Sequence, residues 1–358
     1  MKKTHLYTVA VLAVALCCLI SLWLYVLFSP VVTSAGGSIY YLRPGISKRS
    51  VISELSQQGI IKHPFMFSLY AYPHKSASLK VGEYFFPEGA TPYSIWKQLT
   101  TGTGLYYRHF TIIPGWTFRQ LRAGLSKAQG LKHLISTLND QQIMQRLGRP
   151  ELSPEGEFFP DTYNYTRGDI DLAILKRAFD LMQNKLNEDW QRRAAGLPYR
   201  NPYDALIAAS MIEKEGYLDA ERPLISSVLI NRLKKDMLLQ IDATVIYGLA
   251  DRYDGKIHKT DLLEDTPYNT YIHKGLPPTP IAMPGSASIE AALHPQPSDY
   301  YYYVAKGDGG HQFSTSLQAH NAAVQATMSK PGDNFNESVV RRHMAPMLGL
   351  PVLPGLNN

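Results

Sequence analysis

The alternation of apolar and polar positions changes character several times along the chain, and each change marks an element. Leu6 to Phe28 carries no charge. The run exceeds the roughly 20 residues that cross a bilayer as a helix. Tyr7, Trp23 and Tyr25 stand near its ends, where amphipathic rings favour the interface. The pattern predicts a transmembrane helix. A small, polar linker follows, Ser29–Ser38. "SIYYLRPGIS" then reads as strand and turn. Val51, Ile52, Leu55 and Ile60 fall at helical spacing, with Gly59 at the end. "HPFMFSLYAY" reads as a second apolar helix, and "LKVGEYFFPEGATPYSIWKQLTTG" as strand, turn and a helix opening near Pro92. That order describes a small α+β module.

After "TGTG" the texture returns once, "YYRHFTIIPGWTFRQLRAGLSK" being again strand, Pro-Gly turn and helix. Two divergent copies do not make a repeat architecture. Asp169–Ala194 reads as an amphipathic helix: Ile170, Ile174, Ala178, Leu181 and Leu186 form one stripe, Phe179, Met182 and Trp190 lie nearby, and Asp169 is placed to cap its start. The segment Tyr203–Glu215 is apolar on nearly every face, so it is expected to be central and buried. A third helix has Pro223 in its first turn and Val228, Ile230 and Leu233 turned inward. Beyond it, Gly, Pro and Tyr dominate, which reads as irregular strands and loops. "YYYYVAKGDGGHQFS" is a hairpin around a Gly-rich turn, and a loose tail begins near Pro331.

Length and charge sharpen this picture. A chain of 358 residues is too long for one average core, so two or three domains are expected. The excess of 36 basic over 30 acidic residues suits work near anionic surfaces and is too small for a nucleic-acid binder. Lys2 and Lys3 put the N-terminus in the cytoplasm and the remaining chain outside the membrane. A cleaved signal peptide ending at "TSA" before Gly36 is the alternative, but its apolar region normally spans only about 7–15 residues. Cys17 and Cys18 both lie in the apolar run, so the exported part has no disulfide framework. "VALC" lacks the small residue expected before a lipidated cysteine. His258, His273, His294, His311 and His320 never fall at a metal-ligand spacing, and "KGDGGH" lacks the order of a phosphate loop. No metal site is expected.

The candidate chemistry lies in "MIEKEG". Glu213 and Glu215 are two residues apart on a helix, about 200° around it, so they cannot act as one dyad. One is expected to project into the protein while the other finds solvent or Lys214. Glu215 shares a face with Ile207, Ala208, Met211 and Ile212. Loss of water and the negative end of the helix would both raise its pKa. A carboxyl kept protonated near neutral pH is what a general acid for a glycosidic oxygen requires. The commoner use of an acid at a helix end is an ion pair or a solvated cap. The run Tyr300–Tyr303 offers ring faces for a sugar, or a half-buried strand.

Several segments together resemble the membrane-anchored endolytic murein transglycosylases of the MltG/YceG-like type: "PEGEFFPDTYNYT", "ALIAASMIEKE", "SVLINRLKKDMLLQIDATVIYGL", "TPYNTYIHKGLPPTPIAMPG", "AALHP" and "YYYYVAKGDGGHQFSTSLQAHNAAV". The likeness runs from about Tyr40 to Ala326. The chain departs from the pattern at Ile241-Asp242-Ala243-Thr244, where the family usually has Thr-Asp-Pro-Thr, and at Thr279, Met283 and Gly216. None of these removes a carboxylate. The resemblance implies that Glu215 is catalytic and that a LysM-like module precedes the catalytic domain. It implies non-hydrolytic cleavage of the MurNAc–GlcNAc β-1,4 bond inside glycan strands, leaving 1,6-anhydro-MurNAc ends and terminating strand elongation. It implies no cofactor. Its partners would be peptidoglycan strands, the inner membrane and peptidoglycan synthases (penicillin-binding proteins), with the catalytic domain periplasmic.

The expected fold is therefore α+β: cytoplasmic residues 1–5, a transmembrane anchor 6–28, a linker 29–38, a LysM-like module 39–104, a mixed α/β catalytic domain 105–330 and a tail 331–358. A glycan needs ring faces and oriented hydrogen bonds. The segments after the Glu215 helix that combine both put Asn231, Gln240, Asp242, Thr244, Tyr247, Asn269, Thr270 and Tyr271 in the expected cleft. Two other readings stay open: a non-catalytic, membrane-tethered glycan-binding protein, and a muramidase pairing Glu215 with Glu157, Asp161 or Asp242.

Overall fold

The structure is a computed structural model and describes residues 2–73 and 78–328. The expected tail lies outside the described residues. The chain divides into two compact units, one comprising Met1–His109 with Asn164–Asp169, the other Phe110–Tyr163 with everything from Ile170 onward.

The first unit opens with α1 (Lys2–Phe28) and continues β1 (Ser38–Leu42), α2 (Lys48–Gln57), α3 (Pro64–Ala71), β2 (Gly82–Phe86) and α4 (Pro92–Thr101). Strand, helix, helix, strand, helix is the order that the apolar spacing predicts. From His5 to Phe28, α1 is long and apolar enough to cross a membrane, and almost none of it is covered by protein. Its C-terminal end meets the core: Trp23 packs against it, and Leu27, with Val31 and Val32, joins Tyr40, Leu55, Phe67, Trp96 and Leu99. β1 and β2 pair antiparallel with Tyr40 opposite Tyr84, both buried. Ser47 caps α2, and Thr91 and Ser94 form a reciprocal capping box on α4, which closes on Gly102 at φ 79°.

The unit boundary falls later than the expected 104/105. Leu105 bridges to Tyr84, and the buried Glu83 is held by two bonds from Arg108 at 2.9 and 3.1 Å. Arg167 approaches the same carboxylate at 3.6 Å, which ties the 164–169 segment to this unit. A buried carboxylate needs such partners, and they come from outside the expected limits.

The second unit takes in β3 (Arg108–Thr111) and β4 (Thr162–Tyr165) in part, the unit boundary crossing both strands, and then α5 (Phe118–Ser126), α6 (Asp140–Arg146), α7 (Asp171–Gln191), α8 (Pro202–Glu215), α9 (Arg222–Lys234), α10 (Asp242–Leu249), α11 (Ser286–Leu293), β5 (Tyr302–Ala305), β6 (His311–Ser314) and α12 (Leu317–Met328). Helix α7 begins two residues later than expected. Asp169 does not cap it; its carboxylate accepts from the Thr166 N–H. The buried Asp171 instead accepts from Leu134, Ile135 and Leu172 N–H groups, and Ile170 is exposed. The inward stripe is Ile174, Leu175, Ala178, Phe179, Met182 and Leu186.

Helix α8 is the central element. Asn201 caps it by accepting from the Asp204 N–H, and Pro202 supplies its first turn without wasting a donor. Residues 204–213 are all buried, among α7, α9, α10 and α11. The hairpin is as predicted, β5 and β6 pairing antiparallel with Tyr303 opposite Phe313. Three helices, α10, α11 and α12, occupy segments expected to be irregular. The first two are only eight residues long, too short to show a periodic pattern. Packing against α8 and α9 holds α11.

Candidate active site

Glu215 is the last residue of α8 and is half-buried. Three pieces of chain converge on it. The Tyr303 Oη, from β5, donates to its Oε2 at 3.1 Å. The Ala243 N–H, one of the free amides in the first turn of α10, also donates to it. Asp242 lies beside it, close enough for its charge to be felt, and the Tyr271 Oη donates to Asp242 Oδ1 at 2.5 Å. Burial, and then the Asp242 charge, push the Glu215 carboxyl up to about 7; Tyr303, the Ala243 N–H and Lys214 oppose them. Burial likewise raises Tyr303 well above the usual phenol range, with the Glu215 charge adding to it. Lys214 is lowered by burial, against the pull of Glu213, Glu155 and Glu215, and its ammonium reaches the Gly115 carbonyl at 3.4 Å.

The opposite directions of the acid pair follow from the helix geometry: Glu213 projects into the protein, while Glu215 stays half-buried and feels the Lys214 charge. Glu213 is the more buried of the two, bonded to Arg222 Nη1 at 2.8 Å, the Gly285 N–H at 2.9 Å and the Ser288 hydroxyl at 2.8 Å. These three partners lock α8, α9 and the start of α11 together.

Most of the other expected cleft residues support the site from behind. Thr244 and Thr270 are buried and joined at 2.9 Å. Thr270 also accepts from the Ile241 N–H, while Thr244 donates to the Ile241 carbonyl. Their hydroxyls are spent on holding Asp242 and Ala243 in place, which leaves no surface for a sugar. Asn269 is also buried; its amide donates to the carbonyls of Asp261, Leu262 and Glu264, and its oxygen accepts from the Tyr271 N–H. It shapes the loop that delivers Tyr271. Asn231 donates to the carbonyls of Ser298 and Tyr300, and Arg232 to that of Tyr301, fixing the chain that leads into Tyr303. Gln240 is exposed, in a left-handed turn at φ 53°, its side-chain oxygen bonded to Arg232. Tyr247 points to Glu155, 3.0 Å away, and stacks edge-on with Tyr268. Of the eight, Asp242 and Tyr271 are the ones brought to the Glu215 carboxyl.

Neither Glu157 nor Asp161 is shown beside Glu215. Glu157 is fully buried against Gln183 Nε2 at 2.6 Å, and burial pushes it up to about 8. Asp161 accepts from the Thr162 N–H at the entry to β4. A carboxyl whose pKa is higher folded than unfolded stabilises the fold below its unfolded value, and that stability is lost as pH rises through the folded one. The window here runs from about 4.5 to about 8. Glu157→Gln is therefore expected to flatten the fall in melting temperature between pH 5 and 9, measured by thermal unfolding across that range.

Tyr303 is the site residue that spacing missed. The signal was present: four tyrosines precede the hairpin turn, and "GGHQFS" follows it. On β6, His311 takes both Glu221 oxygens on its N–H and a third bond at Nδ1, 2.8 Å. Its ring meets Tyr303 edge-on at 5.2 Å, which holds that phenol on Glu215. Among the described residues, no cluster of His, Cys, Asp and Glu is arranged to hold a metal ion.

The YceG-like family model matches residues 40–326. An endolytic murein transglycosylase of Bacillus subtilis is 32% identical over 305 residues, covering 81% of this chain and 84% of that protein. One from Streptococcus pneumoniae is 26% identical over 79% of this chain, which spans 58% of that longer protein. The crystal structure of a yceG-like protein from Listeria monocytogenes aligns with a TM-score of 0.51 and 27% identity, over 81% of this chain and 99% of its own. Since the matched segment contains α8, the α10 turn and the hairpin that meet at Glu215, the chain belongs to the YceG-like family.

Proposed function

We propose that this protein is an endolytic murein transglycosylase in which Glu215 serves in turn as acid and base. The observation that carries the reading is the state of that carboxyl. It ends a buried helix, remains partly accessible, and is held up to about 7. As the acid it gives its proton to the glycosidic oxygen while the bond from MurNAc C1 to that oxygen breaks. As the carboxylate it then takes the proton from the C6 hydroxyl of the same sugar, whose oxygen bonds to C1. One proton leaves and one returns, and no water is consumed. The second step is intramolecular, so proximity replaces a bound nucleophile. Tyr303 and the Ala243 N–H hold the carboxylate form, and Asp242 with Tyr271 faces the space beside it.

Around this core the finer reading has α1 as a single-pass anchor in the inner membrane, N-terminus inside and second unit in the periplasm. The first unit beyond α1 serves as a LysM-like glycan-binding module. Substrate is nascent peptidoglycan, with elongation stopped by the cut, next to a peptidoglycan synthase. A two-carboxylate muramidase remains the second reading, favoured by the closeness of Asp242 to Glu215.

Cleavage is tested on purified glycan strands by following their length distribution. Internal cutting shortens the mean length early, before disaccharides accumulate. Unchanged lengths would leave only a binding protein. The pH dependence tests the site. The kcat/KM profile is expected to fall as pH rises through about 7, since the acid form is then lost. Tyr303→Phe removes a bond to the carboxylate and moves this limb up by about one pH unit, ~1.4 kcal/mol of carboxylate stabilisation. Asp242→Asn removes a raising charge and moves it down. If Asp242 also orients substrate, turnover drops with little change in melting temperature. As a purely structural cap it would cost the fold about 0.5–2 kcal/mol instead.

A further inference from the structure

On α3 an apolar face is left uncovered beside the membrane-crossing helix. Phe65, Leu69 and Tyr72 follow one another at helical spacing and are 72%, 50% and 47% exposed, while Phe67 and Ala71 on the other side are fully buried. An exposed phenylalanine, leucine and tyrosine in one row are costly in water and mark a contact surface.

The position of that row relative to α1 identifies what covers it. Helix α3 packs on α1, and the Trp23 indole donates to the Met66 carbonyl at 3.1 Å. Trp23 lies roughly 25 Å along the helix from Leu6, at 1.5 Å per residue, inside a hydrocarbon core of about 30 Å. The carbonyl of Met66 is therefore level with the last part of the span. Phe65 is the neighbouring residue, its Cα about 3.8 Å from that of Met66. Leu69 is less than one turn further on. All of them fall within the outer edge of the hydrocarbon or the headgroup layer, which is about 5–7 Å thick on each side.

The chemistry of the surrounding chain agrees. Between Glu54 and Glu83 there is no acidic residue, whereas Lys62, His63, Lys75 and Lys80 are basic. Tyr70 and Tyr93 meet at 5.8 Å with their rings tilted, and Phe28 meets Tyr93 at 5.0 Å, giving an aromatic cluster at the end of α1. Aromatic rings with basic flanks are the signature of a helix lying in an anionic membrane interface.

We infer that α3 is an interfacial helix which inserts Phe65, Leu69 and Tyr72 into the outer face of the same bilayer that α1 crosses. The inference rests on the reading of α1 as a membrane span. Together the two elements would give the first unit two points of attachment and a fixed orientation on the lipid surface, where a single helix with a flexible linker would let it turn freely.

The test uses the full chain in vesicles of phosphatidylcholine with phosphatidylglycerol. With Cys17→Ala and Cys18→Ala as background, an environment-sensitive dye is attached at Phe65→Cys, Leu69→Cys or Tyr72→Cys. A fourth protein keeps Cys17 and carries only Cys18→Ala. The expected result is blue-shifted emission at all four positions, with quenching by lipid-borne nitroxides that is shallow for the three α3 sites and deep for Cys17. Quenching of Cys17 with water-like emission at the α3 sites would overturn the interfacial helix and leave the anchor standing. Blue-shifted α3 sites that lipid nitroxides do not quench would overturn it in favour of contact with a second copy. Absence of lipid quenching at Cys17 would remove the anchor, and the inference with it.

Discussion

Glu215→Gln is expected to leave the fold intact and to lower turnover on glycan strands by about a hundred- to ten-thousand-fold. Glutamine keeps the size of the side chain and can still accept from Tyr303 and the Ala243 N–H, so the junction of α8, α10 and β5 has no reason to open. It cannot give a proton to the leaving oxygen, nor take one from the C6 hydroxyl. Both halves of the reaction fail together because one group performs them. Melting temperature and initial rate, measured on the same preparation, check this. A variant with near-normal rates would remove Glu215 from the chemistry.

Glu213→Ala is expected to give the reverse outcome. The carboxylate removed is buried and anchors Arg222, the Gly285 N–H and Ser288. Breaking one side of a buried ion pair costs about 3–5 kcal/mol. Asp219 still faces Arg222 Nε at 3.0 Å, which keeps the expectation near 3 kcal/mol. For a unit of this size that is a fall in melting temperature of roughly 10 °C. Glu213→Gln retains an acceptor for Gly285 and Ser288, loses less stability and keeps most of its activity per folded molecule. Thermal unfolding separates the two variants. A Glu213→Ala protein that melts normally but does not turn over would place Glu213 in the reaction instead.

The contrast between these two glutamates marks how far the sequence can be read. Their opposite directions follow from 3.6 residues per turn, and the burial of α8 follows from its unbroken apolar character. What each carboxylate meets does not, because the partners come from afar: Tyr303 is 88 positions from Glu215, and Ser288 is 75 from Glu213. The residues chosen for the cleft show the same limit. "LQIDATVIYG" and "YNTY" do supply the loop beside Glu215, through Asp242 and Tyr271. But composition does not reveal that Thr244, Thr270 and Asn269 spend their polar groups on backbone within that loop. Helices α10 and α11 went unseen for a related reason. At eight residues each they are held by packing, not by propensity, and packing is not written in the local pattern. The first unit was the easiest to anticipate, since its alternation and its caps are local. Even there, the partners of Glu83 lie outside the expected boundary.

The claim that a single carboxyl carries both proton transfers, with the sugar's own hydroxyl as nucleophile, is tested most directly by the new chain ends. Purified glycan strands are digested in water enriched in heavy oxygen, and the fragments are weighed by mass spectrometry. A transglycosylase leaves 1,6-anhydro-MurNAc ends, lighter by one water than reducing ends and free of label. Reducing ends carrying heavy oxygen would show that water is the nucleophile, contradict the single-carboxyl mechanism, and assign Glu215 and Asp242 to a hydrolase.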